Sequence, residues 1–124
     1  MALGDGLTPG RALELWHAVS LRQVLDDAPD LSLRQMTILL TIYLDPPPHT
    51  VRDLATRLRV TKPVITRALD SMGKHRLVNR RRDESDRRNV LIQRTVEGAL
   101  YLERLGDLAA AESRKGIGCP RRRR

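Results

Sequence analysis

The side chains of this sequence best suited to chemistry are cationic and hydroxylic, and they cluster. Thr61, Lys62, Pro63, Thr66, Arg67 and Lys74 fall in one short stretch, and Arg82, Arg87 and Arg88 follow in a second. Hydroxyl, ammonium and guanidinium groups donate hydrogen bonds to phosphate oxygens and base edges. A planar guanidinium can also grip guanine bidentately, which discriminates by ~1 to 3 kcal/mol, and Arg67 is the expected base contact. Charge placement agrees. Residues 61–94 hold ten Lys/Arg against four Asp/Glu, whereas residues 1–60 hold six against seven, within a net charge of +8. A local cationic surface on an otherwise balanced chain calls for a polyanion, and nucleic acid is the commonest inside a cell. A membrane surface fits poorly, because no basic amphipathic helix with interfacial aromatics accompanies the charge.

Catalytic chemistry finds little support. His17, His49 and His75 are isolated and lack metal-ligand spacing, Asp26 and Asp27 end a helix beside Pro29, and no nucleophile stands near a base. The opening GDG does not lie between a strand and a helix as a phosphate loop would. Cys119 is the single cysteine, so neither a disulfide nor a zinc site is expected. The reading is a non-enzyme without cofactor or metal. No apolar run approaches the ~18 residues of a membrane span, and the first residues lack the order of a signal peptide. A cytoplasmic, nucleoid-associated protein is therefore expected.

The clusters need elements to hold them. At 124 residues one domain with one core is the working size. Thr8 with Pro9 starts a helix over 9–27 that stops before Pro29. Ser32 with Gln35 makes a capping box, stapled by Leu31 and Met36, for a helix over 33–44. Thr50 with Asp53 repeats the pattern before VRDLATRL, and Val60 with Ile65 brackets Thr61 as the cap of a further helix. Only RVT separates these two, which predicts a helix-turn-helix whose second helix can enter a DNA major groove. At roughly 100° per residue that helix gathers Val64, Ile65, Ala68, Leu69 and Met72 on one face and Pro63, Thr66, Arg67, Asp70 and Lys74 on the other.

Two strands are expected next, over 77–82 and 89–94, with Val90 and Ile92 pointing inward and DESDRR as a polar tip. Arg87 and Arg88 on such a tip can reach a narrow minor groove, where the negative potential is greatest. Asp86 is placed to brace an arginine, and at least one of Arg80, Arg81 and Arg82 should pair with Asp83, Glu84 or Asp70. Thr95 caps a last helix striped by Ala99, Leu102, Leu105 and Ala109, and a basic flexible tail over 113–124 is expected after it. The first helix is apolar on two sides, with Ala12, Leu15, Trp16 and Val19 on one and Leu21 and Leu25 on another, as for a helix that touches a partner. The predicted class is mainly α with a small β-hairpin. It divides into an N-terminal helix (1–30), a winged helix-turn-helix (31–94), a C-terminal helix (95–112) and the tail.

The run from Leu54 to Ala99 resembles the MarR family of bacterial transcriptional regulators. The family's wing motif, Asp-x-Arg and then Thr-x-x-Gly, is matched by Asp86, Arg88, Thr95 and Gly98, with Asp83 at the usual start of the tip and so a second brace. The resemblance spans roughly residues 31–112. It implies a homodimer on a pseudo-palindromic operator in double-stranded DNA, with the recognition helix in the major groove and the wing arginine, together with Arg82, at the flanking minor groove. It further implies dimerisation through the first and last helices, here Leu15, Trp16, Val19, Leu21, Leu25, Leu102 and Leu105. A small-molecule effector pocket bordered by Trp16, His17 and Tyr43 is implied as well, although a tryptophan on an apolar helix face is more commonly core. Family members usually continue with a further helix, and this sequence stops about one helix short. The expected function is a repressor acting by promoter occlusion. The rival readings are a winged-helix interaction module and a non-specific nucleic-acid binder driven by the tail.

Overall fold

A computed structural model describes residues 6–115, so Cys119 and the four terminal arginines lie outside the described residues. Five helices and three strands follow the order α1 (Pro9–Leu25), α2 (Leu33–Leu44), β1 (His49–Thr50), α3 (Val51–Leu58), α4 (Lys62–Lys74), β2 (Val78–Arg82), β3 (Val90–Arg94) and α5 (Val96–Lys115). The described residues divide into two compact units, where the sequence suggested one core. One unit spans residues 31–102 and the other joins residues 6–30 to 103–115. Every fully buried side chain belongs to the first, because only there do helices and a sheet cover each other; α1 buries none of its residues.

Local chemistry sets the helix starts in the first unit. Ser32 Oγ accepts from the Gln35 N–H at 3.1 Å while the Gln35 side chain accepts from the Ser32 N–H at 2.8 Å, the reciprocal box that satisfies two otherwise orphaned donors. Thr50 Oγ1 accepts from the Asp53 N–H at 3.0 Å and starts α3 directly out of β1. Thr61 occupies the N-cap of α4, but its hydroxyl makes no capping bond. Between α3 and α4 the chain turns at Arg59, whose φ of 57° is left-handed and whose N–H returns to the Ala55 and Thr56 carbonyls. Ile38, Leu39, Ile42, Leu54, Ile65, Leu69 and Met72 then close a core from α2, α3 and α4, and truncating any one to alanine would cost about 2 to 5 kcal/mol.

The sheet runs in the order β1-β3-β2 and is antiparallel throughout. Arg80 lies opposite Ile92 and Arg82 opposite Val90, so those two arginines share the inward side with Ile92, while Arg81 lies opposite Leu91 on the other side. At the base of the hairpin Tyr43 from α2 is the keystone. Its hydroxyl accepts from the Thr95 N–H at 2.8 Å and faces the Leu77 and Thr95 carbonyls at 2.8 and 3.2 Å. Thr95 Oγ1 caps α5 by accepting from the Gly98 N–H at 2.9 Å and donates to the Arg76 carbonyl at 2.7 Å.

The second unit contains α1 and the later part of α5. Thr8 Oγ1 accepts from the Arg11 N–H at 3.1 Å, and Arg11 Nη2 donates to the Glu112 carbonyl at 2.5 Å, tying the two helices together. Several boundaries differ from the sequence reading. α1 stops at Leu25, where the Asp26 N–H closes the last turn on the Arg22 carbonyl, two residues before the predicted end. α5 continues to Lys115 rather than ending at Glu112, its last turn held by Ser113 Oγ donating to the Ala110 carbonyl and by a Lys115–Glu112 ion pair at 3.1 Å. Ala99 of the expected stripe is exposed, and Gly98 and Tyr101 are the buried positions of α5, because the helix starts against Tyr43 and Leu77. Trp16, read as more commonly core, is 65% exposed.

Candidate nucleic-acid interface

The exposed flank of α4 forms as its periodicity requires. Ile65, Ala68, Leu69 and Met72 are buried and Val64 half-buried, leaving Thr61, Lys62, Pro63, Arg67 and Lys74 exposed and Thr66 half-exposed. Apolar burial on one side fixes the helix rotation, and that rotation aims the polar groups outward. No hydrogen bond or ion pair within the described residues occupies the side chains of Lys62, Thr66, Arg67 or Lys74. The Thr61 hydroxyl is likewise unused and available to donate.

The wing tip is held by carboxylates. Asp83 Oδ1 accepts from the Ser85 N–H at 3.0 Å and from Ser85 Oγ at 2.7 Å, a local turn that stiffens the loop. The Ser85 hydroxyl first, and then the Ser85 N–H, hold the Asp83 carboxyl below its ordinary value. Asp86 Oδ1 accepts from Arg88 at both the backbone N–H and Nε, each at 3.2 Å. The Arg88 side chain remains 82% exposed. Arg82 turns toward the tip instead, donating from Nη1 to the Arg87 carbonyl at 2.7 Å. Its guanidinium thus helps shape the loop that presents Arg87 and Arg88.

Two further basic residues of the 61–94 stretch serve the fold. Arg80 forms an ion pair with Asp70 at 2.5 Å, linking β2 to α4. Arg94 donates from Nε to the Ile42 carbonyl and from Nη2 to the Asp45 carbonyl, both at 2.8 Å, and lies 5.8 Å from the centroid of the Tyr43 ring. It therefore satisfies the last carbonyls of α2. Arg57 pairs with the Asp45 side chain beside it.

The two clusters meet in one place. A cleft of about 170 Å³ is lined by Val51 and Arg52 at the start of α3, Lys62 and Thr66 on α4, and Arg88, Asn89 and Val90 on the wing. Sequence reasoning missed Arg52 and Asn89. Spacing along the chain carries no signal for Arg52, which joins α4 and the wing only through the fold. Of the residues expected around an effector, Trp16 and His17 are exposed on α1, and the Tyr43 hydroxyl is taken up by backbone groups. Among the described residues no group of three or more His, Cys, Asp or Glu could hold a metal ion, and no helix is long and apolar enough to cross a membrane.

Comparison with known proteins follows the same lines. The model of the MarR family matches residues 31–90. YusO from Bacillus subtilis is similar in structure, with a TM-score of 0.68 and 17% identity over 87% of this chain and 74% of its own. MepR of S. aureus, solved as a complex with DNA, gives 0.69 and 21% identity over 81% of this chain and 79% of its own. A mutant MarR from E. coli complexed with operator DNA gives 0.63 and 24% identity over 86% and 70%. No functionally curated protein matches the sequence.

Proposed function

We propose that this chain, whose residues 31–90 match the model of the MarR family, is a sequence-specific double-stranded DNA-binding transcriptional regulator. The observation that carries the reading is the shared cleft: Lys62 and Thr66 of α4 and Arg88 of the wing line one concavity, so both clusters face one ligand. In this reading α4 enters a major groove. Arg67 reads a base, Thr61, Lys62, Pro63, Thr66 and Lys74 fix its depth and register, and Arg87 and Arg88 follow the adjacent minor groove. Arg82, Asp83 and Asp86 keep the wing in shape. Two of the structural neighbours were solved with DNA, which supports the assignment of the ligand.

The regulator acts as a homodimeric repressor by promoter occlusion, in the cytoplasm and on the nucleoid. Support for the dimer is the apolar surface of α1, where Leu13, Trp16, Leu21, Val24 and Leu25 are exposed. A two-fold dimer places its recognition helices about one DNA turn apart, ~34 to 36 Å, and a small-molecule effector that changes this spacing would release the operator. The test is selection of binding sites from random duplexes beside a solution mass. A two-fold symmetric consensus and a mass near two chains are expected. Loss of preference at one base pair in Arg67→Ala, by ~1 to 3 kcal/mol, identifies that side chain's base. No enriched sequence would contradict the reading.

A further inference from the structure

The cleft between α3, α4 and the wing has a chemistry of its own. Three cations, Arg52, Lys62 and Arg88, line it with the Thr66 hydroxyl and Asn89, and no carboxylate is among its lining residues. Arg52 and Lys62 have no ion pair or side-chain hydrogen bond among the described residues, and Arg88 is held only through Nε, leaving its two terminal amino groups open. Arg52 and Lys62 also stand in the first turns of α3 and α4, where the exposed N–H groups and the macrodipole favour an anion. At about 170 Å³ the space holds several water-sized bodies of ~30 Å³ but falls short of the ~300 to 1,000 Å³ of drug-sized ligand pockets. Charge and size together select a small, strongly anionic group.

We propose that this cleft seats one phosphodiester of the DNA backbone, with Arg52 as its principal new ligand. The inference rests on the DNA-binding reading above. With α4 in a major groove and the wing in the neighbouring minor groove, the sugar–phosphate strand separating those grooves must pass between them. The cleft is bounded by α4 on one side and by Arg88 on the other. Arg52 meets that strand from the start of α3 and Lys62 from α4, with the Thr66 hydroxyl as a further donor. Such a contact fixes the angle between recognition helix and wing on the duplex and carries no sequence information itself.

The test uses the full chain and its selected duplex, comparing wild type with Arg52→Gln. Arg52 is exposed, so the variant should keep the wild-type circular dichroism and melting temperature. The expected result is weaker binding to every sequence with the consensus unchanged, and a log–log salt slope reduced in magnitude by about 0.9 per protomer. Replacing single phosphates by uncharged methylphosphonates should reveal one position per half-site whose neutralisation weakens wild type but not Arg52→Gln. Wild-type binding with an unchanged slope and affinity in Arg52→Gln would overturn the phosphate seat and leave the DNA-binding reading intact. Failure of wild type to bind any duplex would overturn both. Inorganic phosphate shifting the Arg52 and Thr66 amide resonances, with duplex affinity indifferent to the substitution, would identify a free-anion site and overturn the backbone assignment.

Discussion

At the scale of single residues, the Thr-x-x-Gly pattern has a mechanical explanation. Thr95 caps α5, and Gly98 lets that helix approach the Tyr43 hydroxyl and the Leu77 carbonyl so closely that a Cβ would stand 2.0 and 2.3 Å from them. The carbonyl is backbone and cannot swing aside. Gly98→Ala is expected to destabilise the fold by ~1 to 3 kcal/mol or more, the range of an overpacked core. Gly106→Ala, on the same helix with open space around it, should instead stabilise by about 1 kcal/mol. Thermal or urea melts of both variants measure the contrast, and equal effects would refute the close-approach argument. Asp83 offers a second test. Its folded pKa is depressed by the Ser85 hydroxyl and N–H, so its contribution to tip order is present above the unfolded value and is lost as pH falls through the folded one. The Ser85 amide resonance should titrate with a midpoint below 3.8, and Asp83→Asn should abolish that titration. A midpoint at or above the ordinary value would contradict the bracing role.

Among the elements, the helix-turn-helix turn holds a side-chain-bearing residue in an unfavourable conformation, as the turn after α4 does at Arg76 with a φ of 60°. Arg59 sits in the left-handed region, which costs a side-chain-bearing residue roughly 1 to 2 kcal/mol. Arg59→Gly relieves that cost and adds unfolded-state entropy worth ~0.4 to 1 kcal/mol in the opposite sense, so a net stabilisation of up to about 1.5 kcal/mol is expected in a melt. Destabilisation would show that the Arg59 side chain contributes packing that outweighs the strain. The helices were legible in the sequence because their signals are local. Ser32 with Gln35 states its box within four residues, and the apolar face of α4 repeats within its own length. The Arg88–Asp86 brace was legible for the same reason. Arg94 and Arg52 were not. Arg94 serves α2 across some fifty residues of chain, and Arg52 reaches the candidate site only once α3 and the wing close together, so a charge count overestimated one residue and overlooked the other. Trp16 misled because amphipathic spacing states that a face is apolar without stating what covers it.

For the whole molecule, the exposed apolar residues of α1 and the cationic cleft divide the proposed labour between association and DNA contact. Trp16→Glu should lower the solution mass toward one chain at micromolar concentration and weaken operator binding by removing the coupling between half-sites. An unchanged mass would place the dimer contact elsewhere. In the proposed complex α4 and the wing engage adjacent grooves of the same duplex. Dimethyl sulfate footprinting on the selected operator reads both grooves at once, because it methylates guanine N7 in the major groove and adenine N3 in the minor groove. Protected guanines are expected under α4 in each half-site, flanked by protected adenines under the wing, with the adenine protection lost in Arg88→Ala and the guanine protection retained. Protection confined to one groove, or adenine protection indifferent to Arg88, would contradict that arrangement.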